Sequence, residues 1–308
     1  MPALNIAVLG ADAAKRAEAA QSIGKKATVD DLGFYHTVFQ GKIVTAIDPV
    51  AYPDKLAVLS QALALSDVAL VLAEAPSHAL GEIIVALDLL KMPTIFVSQM
   101  DLTSFISKTS LRDSKVFSDV HDAKNHLLSL DVPRNAGTSE ILVDHCFEVK
   151  GVGTVVLGVV KRGAIAVHEK MMAQPLEREI EIKSIQRNDV DSKNAEAGDR
   201  VGLCVKNAKA GEIDRGTLLA NDGIVAKEFS CDVTAVSFLR APVVSGTYHL
   251  GAGTQFEPVK FEGEVAPGAS GTAKMIAEKP IALSKGAPML LCSLNAKGLR
   301  VVGLATYK

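Results

Sequence analysis

The feature that most constrains the fold is a change of hydrophobic pattern near residue 135. Before it, short apolar runs such as Ile6–Leu9 and Val68–Ala73 alternate with amphipathic stretches of helical spacing. After it, β-branched runs punctuated by glycine follow one another, with few helical stretches. Strand–helix alternation is typical of a doubly wound α/β sheet, whereas many short strands separated by turns are typical of antiparallel barrels or sandwiches. The pattern therefore predicts two kinds of architecture in one chain.

Several elements of the first part can be assigned from local pattern. Ala13–Ile23 is rich in alanine and contains no helix breaker, which predicts a helix. Phe34–Phe39 and Lys42–Ile47 flank a two-residue turn and predict an antiparallel hairpin. Pro53 predicts the start of a second helix, and the stretch around Val116–Leu128 predicts a later one.

Length indicates more than one domain. The 308 residues exceed what one hydrophobic core usually organises. Residues 136–308 are too many for one small barrel, and Asn221-Asp222-Gly223 is a strong turn that could separate two barrels. The predicted domains are therefore an α/β domain over 1–135 and β-barrels over 136–222 and 223–308.

Composition narrows the possible functions. Lys and Arg number 33 against 35 Asp and Glu, so there is no global basic field to hold DNA or another polyanion, although a local basic patch is not excluded. The apolar runs fall short of the ~20 residues of a membrane span, and no basic segment precedes an apolar one at the N-terminus. Four scattered cysteines without a C-x-x-C pair favour a reducing compartment. We expect a cytoplasmic monomer without a membrane segment or a bound metal cluster.

The second part carries a recognisable series of segments. In order they are Val149–Val160, Ile180–Gln186, Ala197–Leu203 and Ile213–Ala220. In order and spacing, this series resembles the second domain of the translational GTPases typified by elongation factor Tu. Each segment alone is a weak indication, because glycine turns between strands are common, but the four together are specific.

The third part extends the resemblance. Phe238–Arg240, Gly246–Thr254 and Gly298–Gly303 are similar to the third barrel of that family, in particular of its SelB-like branch. The resemblance thus covers essentially the whole chain, and it looks most like the small SelB-like factors linked to pyrrolysine decoding. It implies a P-loop GTPase-like doubly wound domain followed by two antiparallel barrels of the elongation-factor type.

The resemblance implies a phosphate loop after the first strand, but its residues have changed. The family pattern G-x-x-x-x-G-K-[ST] supplies backbone N–H groups and a lysine for phosphate and a hydroxyl for Mg²⁺. Gly10 stands in place, whereas Lys15 replaces the second glycine, Arg16 replaces the lysine and Ala17 replaces the hydroxyl. Arginine does not reach as lysine does, and a side chain strains a position that favours glycine.

The other nucleotide motifs of the family are also altered. In the Asp-x-x-Gly-His motif Asp48 is kept, but Ala51 and Tyr52 stand at the glycine and histidine positions. In the base-reading Asn-Lys-x-Asp motif only Asp101 is kept. Thr28 begins a segment similar to the SelB-like Thr-Ile-Asp-Leu-Gly-Phe stretch, with one extra residue, and is the candidate to reach a metal. Alternatively, the two aspartates are strand-end carboxylates that cap helices.

These changes predict weak nucleotide binding. Each charge-assisted contact contributes roughly 1.5–3 kcal/mol, so losing three costs ~5–9 kcal/mol. At about 1.4 kcal/mol per decade this is roughly three to six decades of affinity. GTP or GDP and Mg²⁺ are therefore expected to bind weakly or not at all, and hydrolysis is expected to be lost.

The remaining candidates concern RNA and structure. Basic residues gather in the second barrel, which in the family holds aminoacyl-tRNA together with the third: Lys161, Arg162, Arg187, Arg200 and Lys206. Of these, Arg162, Arg187 and Arg200 are the candidate tRNA-facing residues, with solvated turn charges as the alternative. Glu82 is predicted to be an exposed helix residue, and His145 and His249 to be structural.

Two functions follow as hypotheses. One is an elongation-factor-like protein that associates with aminoacyl-tRNA or the ribosome despite reduced GTP binding. The other is a nucleotide-independent scaffold that keeps the three-domain shape.

Overall fold

A computed structural model describes residues 1–308. Its N-terminal sheet is mixed, with parallel and antiparallel strands. The strands of this sheet are β1 (Ala3–Gly10), β2 (Lys25–Val29), β3 (Gly33–Phe39), β4 (Lys42–Asp48), β5 (Val68–Leu72), β6 (Thr94–Val97) and β7 (Lys115–Phe117). Their order is β2-β3-β4-β1-β5-β6-β7, with β4, β1, β5, β6 and β7 parallel and β2 and β3 antiparallel to their neighbours.

Five helices accompany this sheet. They are α1 (Ala13–Ile23), α2 (Leu56–Leu65), α3 (His78–Leu90), α4 (Thr103–Ile106) and α5 (Val120–Ser129). The central strands β1 and β5 are buried at every residue, as expected of parallel strands covered on both faces. The predicted hairpin is present, with β3 and β4 paired antiparallel. Its two turn residues, Gln40 and Gly41, both take positive φ angles (48° and 77°), as a two-residue turn of this kind requires.

Two predicted helix starts are wrong. Helix α2 begins at Leu56 and not at Pro53, because the preceding turn directs the carbonyls of Pro49 and Tyr52 to a buried side chain, Arg16. Residues 115–117 extend the sheet beside β6, and α5 starts only at Val120.

The second part closes into a barrel. Its strands are β8 (Glu140–Val149), β9 (Gly153–Arg162), β10 (Ala164–Ala166), β11 (Lys170–Gln174), β12 (Arg178–Arg187), β13 (Val190–Ser192), β14 (Asn194–Glu196), β15 (Arg200–Lys206) and β16 (Leu218–Ala220). The ladder β11-β16-β8-β9-β15-β12 returns to β11 through antiparallel pairing. Between β8 and β9 the register passes from Glu140↔Arg162 to Ile141↔Val160, which leaves Lys161 as the extra residue of a bulge.

The third part is also a closed six-stranded barrel. Its strands are β17 (Ile224–Ala235), β18 (Val243–Ala252), β19 (Gln255–Val265), β20 (Ser270–Leu283), β21 (Pro288–Cys292) and β22 (Val301–Tyr307). The predicted fold class, a doubly wound α/β domain followed by two antiparallel β-barrels, is confirmed. No helix is long and apolar enough to cross a membrane.

The three parts share one hydrophobic cluster. Its buried members include Leu59 of α2, Leu142 of β8, Leu218 of β16, Leu290 of β21 and Val301 of β22. Helices α2 and α3 therefore pack against the barrels as well as against their own sheet. This packing brings the side chain of Arg300, next to β22, to the carbonyl of Pro53 in the segment that follows β4.

Candidate nucleotide site and the contacts between domains

The loop after β1 is shorter than a phosphate loop. Only Ala11 and Asp12 separate β1 from α1, because the helix already begins at Ala13. The Asp12 carboxylate accepts hydrogen bonds from the backbone N–H groups of Ala14 and Lys15, at 2.8 and 3.1 Å. Both bonds lower the pKa of Asp12, and the bond from Lys15 has the larger effect. The helix N-terminus, where an anion binds favourably, is thus capped by the chain itself.

Arg16 is fully buried beneath this loop. Its Nε lies 2.9 Å from Asp48 Oδ1, and its Nη1 donates to the carbonyl of Gly10 at 2.7 Å. Its Nη2 faces carbonyl oxygens of the segment after β4: Pro49 at 3.1 Å, Val50 at 3.4 Å and Tyr52 at 2.9 Å. Burial raises the pKa of Asp48, and the Arg16 contacts oppose that shift. One guanidinium therefore joins the loop after β1 to the loop after β4.

Little open space remains at this edge of the sheet. Lys15 pairs with Glu74 across the loop, and this hydrogen bond raises the pKa of Lys15. Beside them lies a cavity of about 90 Å³, lined by Ala11, Asp12, Leu72, Glu74, Ala75, Ser77 and Leu80. Pockets for drug-sized ligands and cofactors are usually about 300–1,000 Å³. Two carboxylates also face this cavity, which is unfavourable for phosphate.

Tyr52, at the family's histidine position, is buried. Its hydroxyl oxygen lies 2.9 Å from the carbonyl oxygen of Ala79 and 3.2 Å from Glu82 Oε2. Burial, reinforced by the Glu82 carboxylate, raises the pKa of Tyr52, so this side chain stays protonated. A protonated, internally hydrogen-bonded phenol cannot accept a proton from water.

The prediction that Glu82 is exposed is wrong, since it is only 3% exposed. It accepts hydrogen bonds from the backbone N–H, Nε and Nη2 of Arg300, at 2.9, 2.7 and 2.7 Å. Burial alone would raise the pKa of Glu82, but the Arg300 bonds outweigh it and lower that pKa overall. The partner lies 218 residues further along the chain, and nothing in the spacing of α3 indicates it.

The other nucleotide-site candidates lie elsewhere. Asp101 is exposed, and its Oδ1 accepts the backbone N–H of Thr103, the first residue of α4, at 2.8 Å. Asp101 therefore fits the alternative of a carboxylate near a helix start. Thr28 lies on the exposed edge strand β2, and two strands separate β2 from β1. The structure thus brings Gly10, Arg16 and Asp48 together and leaves Thr28 and Asp101 apart from them.

The candidate tRNA-facing arginines are engaged within the chain. Arg162 pairs with Glu140 at 3.3 Å and with Asp222 at 2.8 Å. Arg187 pairs with Asp199 at 2.6 Å. The role of these two in binding RNA stays a prediction.

Arg200 is the third candidate. It pairs with the buried Asp144 at 2.7 Å, and its guanidinium lies 4.3 Å above the ring of Phe34. Because Phe34 belongs to β3, this cation–π contact joins the second barrel to the first sheet. The neighbouring basic residues are also bonded, Lys206 to Glu181 at 2.7 Å and Lys161 to the carbonyl of Ser66 at 3.1 Å.

His145 links the segment after β2 to the second barrel. Its Nε2 lies 3.1 Å from Asp30 Oδ2 and its Nδ1 lies 3.4 Å from Asp144 Oδ1. The adjacent Asp144 carboxylate, together with the negative charge of Asp30, raises the pKa of His145. Arg215 completes the bridge by donating to Asp30 at 2.6 Å. His249 stacks on Phe256 with ring centroids 5.4 Å apart. No group of three or more His, Cys, Asp and Glu side chains is arranged to hold a metal.

An α/β domain with loops in these positions, followed by two closed barrels, defines the architecture of translational GTPases. The family model for elongation factor Tu domain 2 matches residues 153–220. An uncharacterised protein of Methanocaldococcus jannaschii is 32% identical over 294 residues, which cover 92% of this chain and 94% of that protein. The chain belongs to the elongation factor Tu/SelB-like family of translational GTPases.

Two further comparisons agree. The selenocysteine-specific elongation factor of M. jannaschii is 28% identical over 245 residues, covering 70% of this chain. The matched region spans 52% of that factor's own length. The structure of translation elongation factor SelB from Methanococcus maripaludis with the GTP analogue GppNHp superposes with a TM-score of 0.86 and 21% identity, covering 100% of this chain and 79% of that one. The resemblance inferred from sequence is confirmed, while the link to pyrrolysine decoding stays a prediction.

Proposed function

We propose that this chain is an elongation-factor-like protein that associates with aminoacyl-tRNA or the ribosome through its barrels, and that its GTP binding and hydrolysis are weakened or lost. The observation that carries the nucleotide part is the buried Arg16 guanidinium, bound to Asp48 and to backbone carbonyls of both flanking loops. In a working phosphate loop the side chain at this position faces phosphate.

Three further observations support weak nucleotide binding. The N–H groups of Ala14 and Lys15 are bonded to Asp12, and a phosphate would have to displace that carboxylate. Lys15 is paired with Glu74. Ala17 has no hydroxyl for Mg²⁺.

The loss of hydrolysis is supported by Tyr52. Hydrolysis requires a side chain that orients the attacking water. The Tyr52 hydroxyl is buried between Ala79 and Glu82, and its raised pKa keeps it protonated. It therefore has neither the position nor the basicity for that role.

The RNA part rests on the barrels. The second barrel matches the elongation factor Tu domain 2 family over 153–220, and both barrels close. Since Arg162, Arg187 and Arg200 are bonded within the chain, we expect RNA contacts to fall mainly on exposed lysines of the second barrel, such as Lys183 and Lys209.

Titration of the full chain with fluorescent GDP and GTP, with and without Mg²⁺, tests the nucleotide part. We expect a dissociation constant of about millimolar or weaker, because three charge-assisted contacts are replaced. Sub-micromolar binding of either nucleotide would refute the proposal.

A restored loop provides the matched gain-of-function test. The variant Asp12→Gly/Lys15→Gly/Arg16→Lys/Ala17→Thr removes the internal anion and returns the family residues. We expect its nucleotide affinity to rise at least tenfold over the parent chain. A folded variant without any gain would show that the loop does not have the proposed relation to phosphate.

The alternative is a nucleotide-independent scaffold, and the internal pairing of the three arginines favours it. Retention of aminoacyl-tRNA or ribosomes at low salt distinguishes the two, since phosphate contacts weaken steeply as salt increases. Salt-sensitive retention supports the RNA-associated function. No retention of either supports the scaffold.

A further inference from the structure

A cavity lies where the three domains meet, away from the loops after β1 and β4. It has a volume of about 420 Å³, within the usual range of small-molecule pockets. Its walls come from the end of α2, from β8 and β9, from the β18–β19 turn and from the β20–β21 turn. The exposed residues Lys285 and Gly286 lie at its rim and leave a path to solvent.

The β-bulge of β9 turns two neighbouring cationic side chains towards this cavity. In a regular strand Lys161 and Arg162 would point to opposite faces. The register passes over Lys161, and both residues line the cavity wall. Bulges that redirect a side chain are common beside binding sites.

Both cations have unused hydrogen-bond donors. Lys161 Nζ donates to one acceptor, the carbonyl of Ser66, although an ammonium group has three N–H donors. Arg162 Nη2 binds Glu140 and Asp222, but its buried Nε has no partner. Buried donors without partners are rare in folded proteins and call for an explanation.

The charges that line the cavity favour an anion. Its lining holds Lys161, Arg162 and Lys285 against Glu140, while Asp222 and Asp67 act on Arg162 and Lys161 from outside the lining. Burial lowers the pKa of Lys161, although Asp67 and Glu140 oppose that shift, and a bound anion would favour the ammonium form further.

The rest of the wall is mostly apolar. Its larger apolar side chains are Leu63, Leu90, Met92, Leu142, Leu218 and Leu290, and polar side chains such as Ser60 and Gln255 lie between them. A hydrated inorganic ion would leave this surface without a partner, whereas an apolar group of several carbons would cover it.

We propose that this cavity binds a small organic anion, with a carboxylate or phosphate head against Lys161 Nζ and Arg162 Nε and an apolar body against the leucine wall. The site does not depend on nucleotide or tRNA binding. It touches all three domains, so an occupant would also stabilise their arrangement.

Methionine-methyl NMR of the full chain provides the test, because Met92 and Met289 line the cavity and Met172 does not. The probes are hexanoate, hexyl phosphate and the uncharged hexan-1-ol. We expect at least one anion to shift the methyl signals of Met92 and Met289 saturably and to leave Met172 unchanged. Hexan-1-ol should bind at least tenfold more weakly. The preferred anion identifies the head group.

Two variants and a control complete the experiment. Lys161→Met should weaken binding of the anion at least tenfold, whereas Lys206→Met, an exposed lysine of the same barrel, should not change it. Ala64→Phe should fill the cavity and abolish binding. The proposal is overturned if neither anion gives saturable shifts, or if folded Lys161→Met and Ala64→Phe proteins bind it as the parent does.

Discussion

Two concave regions of this molecule differ in how their polar groups are used. At the loops after β1 and β4, Arg16 has acceptors around its guanidinium, Asp12 caps a helix and a cavity of about 90 Å³ remains. At the junction of the three domains, about 420 Å³ stays open, Lys161 Nζ donates to a single carbonyl, and the buried Arg162 Nε has no acceptor. In this chain, space and unused hydrogen-bonding capacity lie at the junction and not where the family architecture would hold phosphate.

The difference shows that a chain can keep the architecture of its family without keeping the open space of the family's ligand site. The Arg16 guanidinium is paired with Asp48, and the Asp12 carboxylate accepts the N–H group of Ala14. Charged groups of the chain itself therefore occupy the places where charged groups of a ligand would bind. Four sets of substitutions, ordered by expected effect, test which polar contacts stabilise the chain and whether the junction is open.

The largest effect is expected for Arg16→Met. It leaves the Asp48 carboxylate buried without its cation, and breaking a buried pair in this way costs about 3–5 kcal/mol. Urea denaturation followed by circular dichroism measures the loss. The matched control is Lys15→Met at the exposed pair with Glu74, where solvent screening leaves little or no loss of stability to expect. If Arg16→Met lost no more stability than Lys15→Met, the buried contacts of Arg16 would not stabilise the domain.

A smaller loss is expected for Arg300→Met, at the contact between the third barrel and α3. Glu82 loses hydrogen bonds to a charged partner, and we expect about 2–3 kcal/mol of destabilisation. Limited proteolysis should also become faster, because the contact joins two domains. Exposed Arg240→Met serves as the control, with an expected change within about 0.5 kcal/mol. Unchanged proteolysis of Arg300→Met would show that other contacts suffice to hold the barrel in place.

A pair of substitutions in α2 compares packed and open space directly. Ala62 is fully buried in the core, so Ala62→Leu should overpack it at a cost of about 1–3 kcal/mol. Ala64 faces the junction cavity, and Ala64→Leu should stay within about 0.5 kcal/mol of the parent. Thermal unfolding of both proteins measures the difference. Similar costs would mean that the cavity is closed in solution.

The smallest effect concerns the pH dependence of the bridge at His145. Because its pKa is raised, the folded state holds the proton more tightly, and this stabilisation is complete below the ordinary histidine pKa of about 6.5. It is lost as pH rises through the folded-state pKa, so stability relative to His145→Gln should fall on the alkaline side. We expect ~0.2–1 kcal/mol, as for a partly exposed ion pair.

A second histidine, His36, also contributes to the pH dependence of stability, and its effect must be distinguished from that of His145. His36 has its pKa lowered to about 4 by burial, so its own effect lies between about pH 4 and 6.5, where stability falls as pH falls. Denaturation series of the parent, His145→Gln and His36→Gln proteins distinguish the two. A flat difference between the parent and His145→Gln from pH 6 to 9 would contradict the assigned bridge.

The architecture could be predicted from sequence because it depends on local pattern. Strand–helix alternation, the turn at Gln40-Gly41 and the series of barrel segments each act over a few residues. The start of α2 was misassigned because Pro53 is a good first helical residue, whereas the observed turn depends on a side chain from α1.

The filling of the candidate site was less predictable. The sequence shows that Arg16 replaces lysine, but not that its guanidinium turns inward to Asp48 and to carbonyls up to 36 residues away. The prediction that Glu82 is exposed is wrong because nothing in the sequence of α3 indicates its partner Arg300. Pairings over such distances depend on how domains pack, and one sequence does not specify that packing by pattern alone.

The cap formed by Asp12 has a consequence for competition. A carboxylate held two residues from the N–H group of Ala14 has an effective concentration above that of a dissolved anion at ordinary levels. Free phosphate must therefore compete with an anion that never diffuses away. Adding phosphate or sulfate should leave this end of the helix as it is, because its occupant is part of the chain.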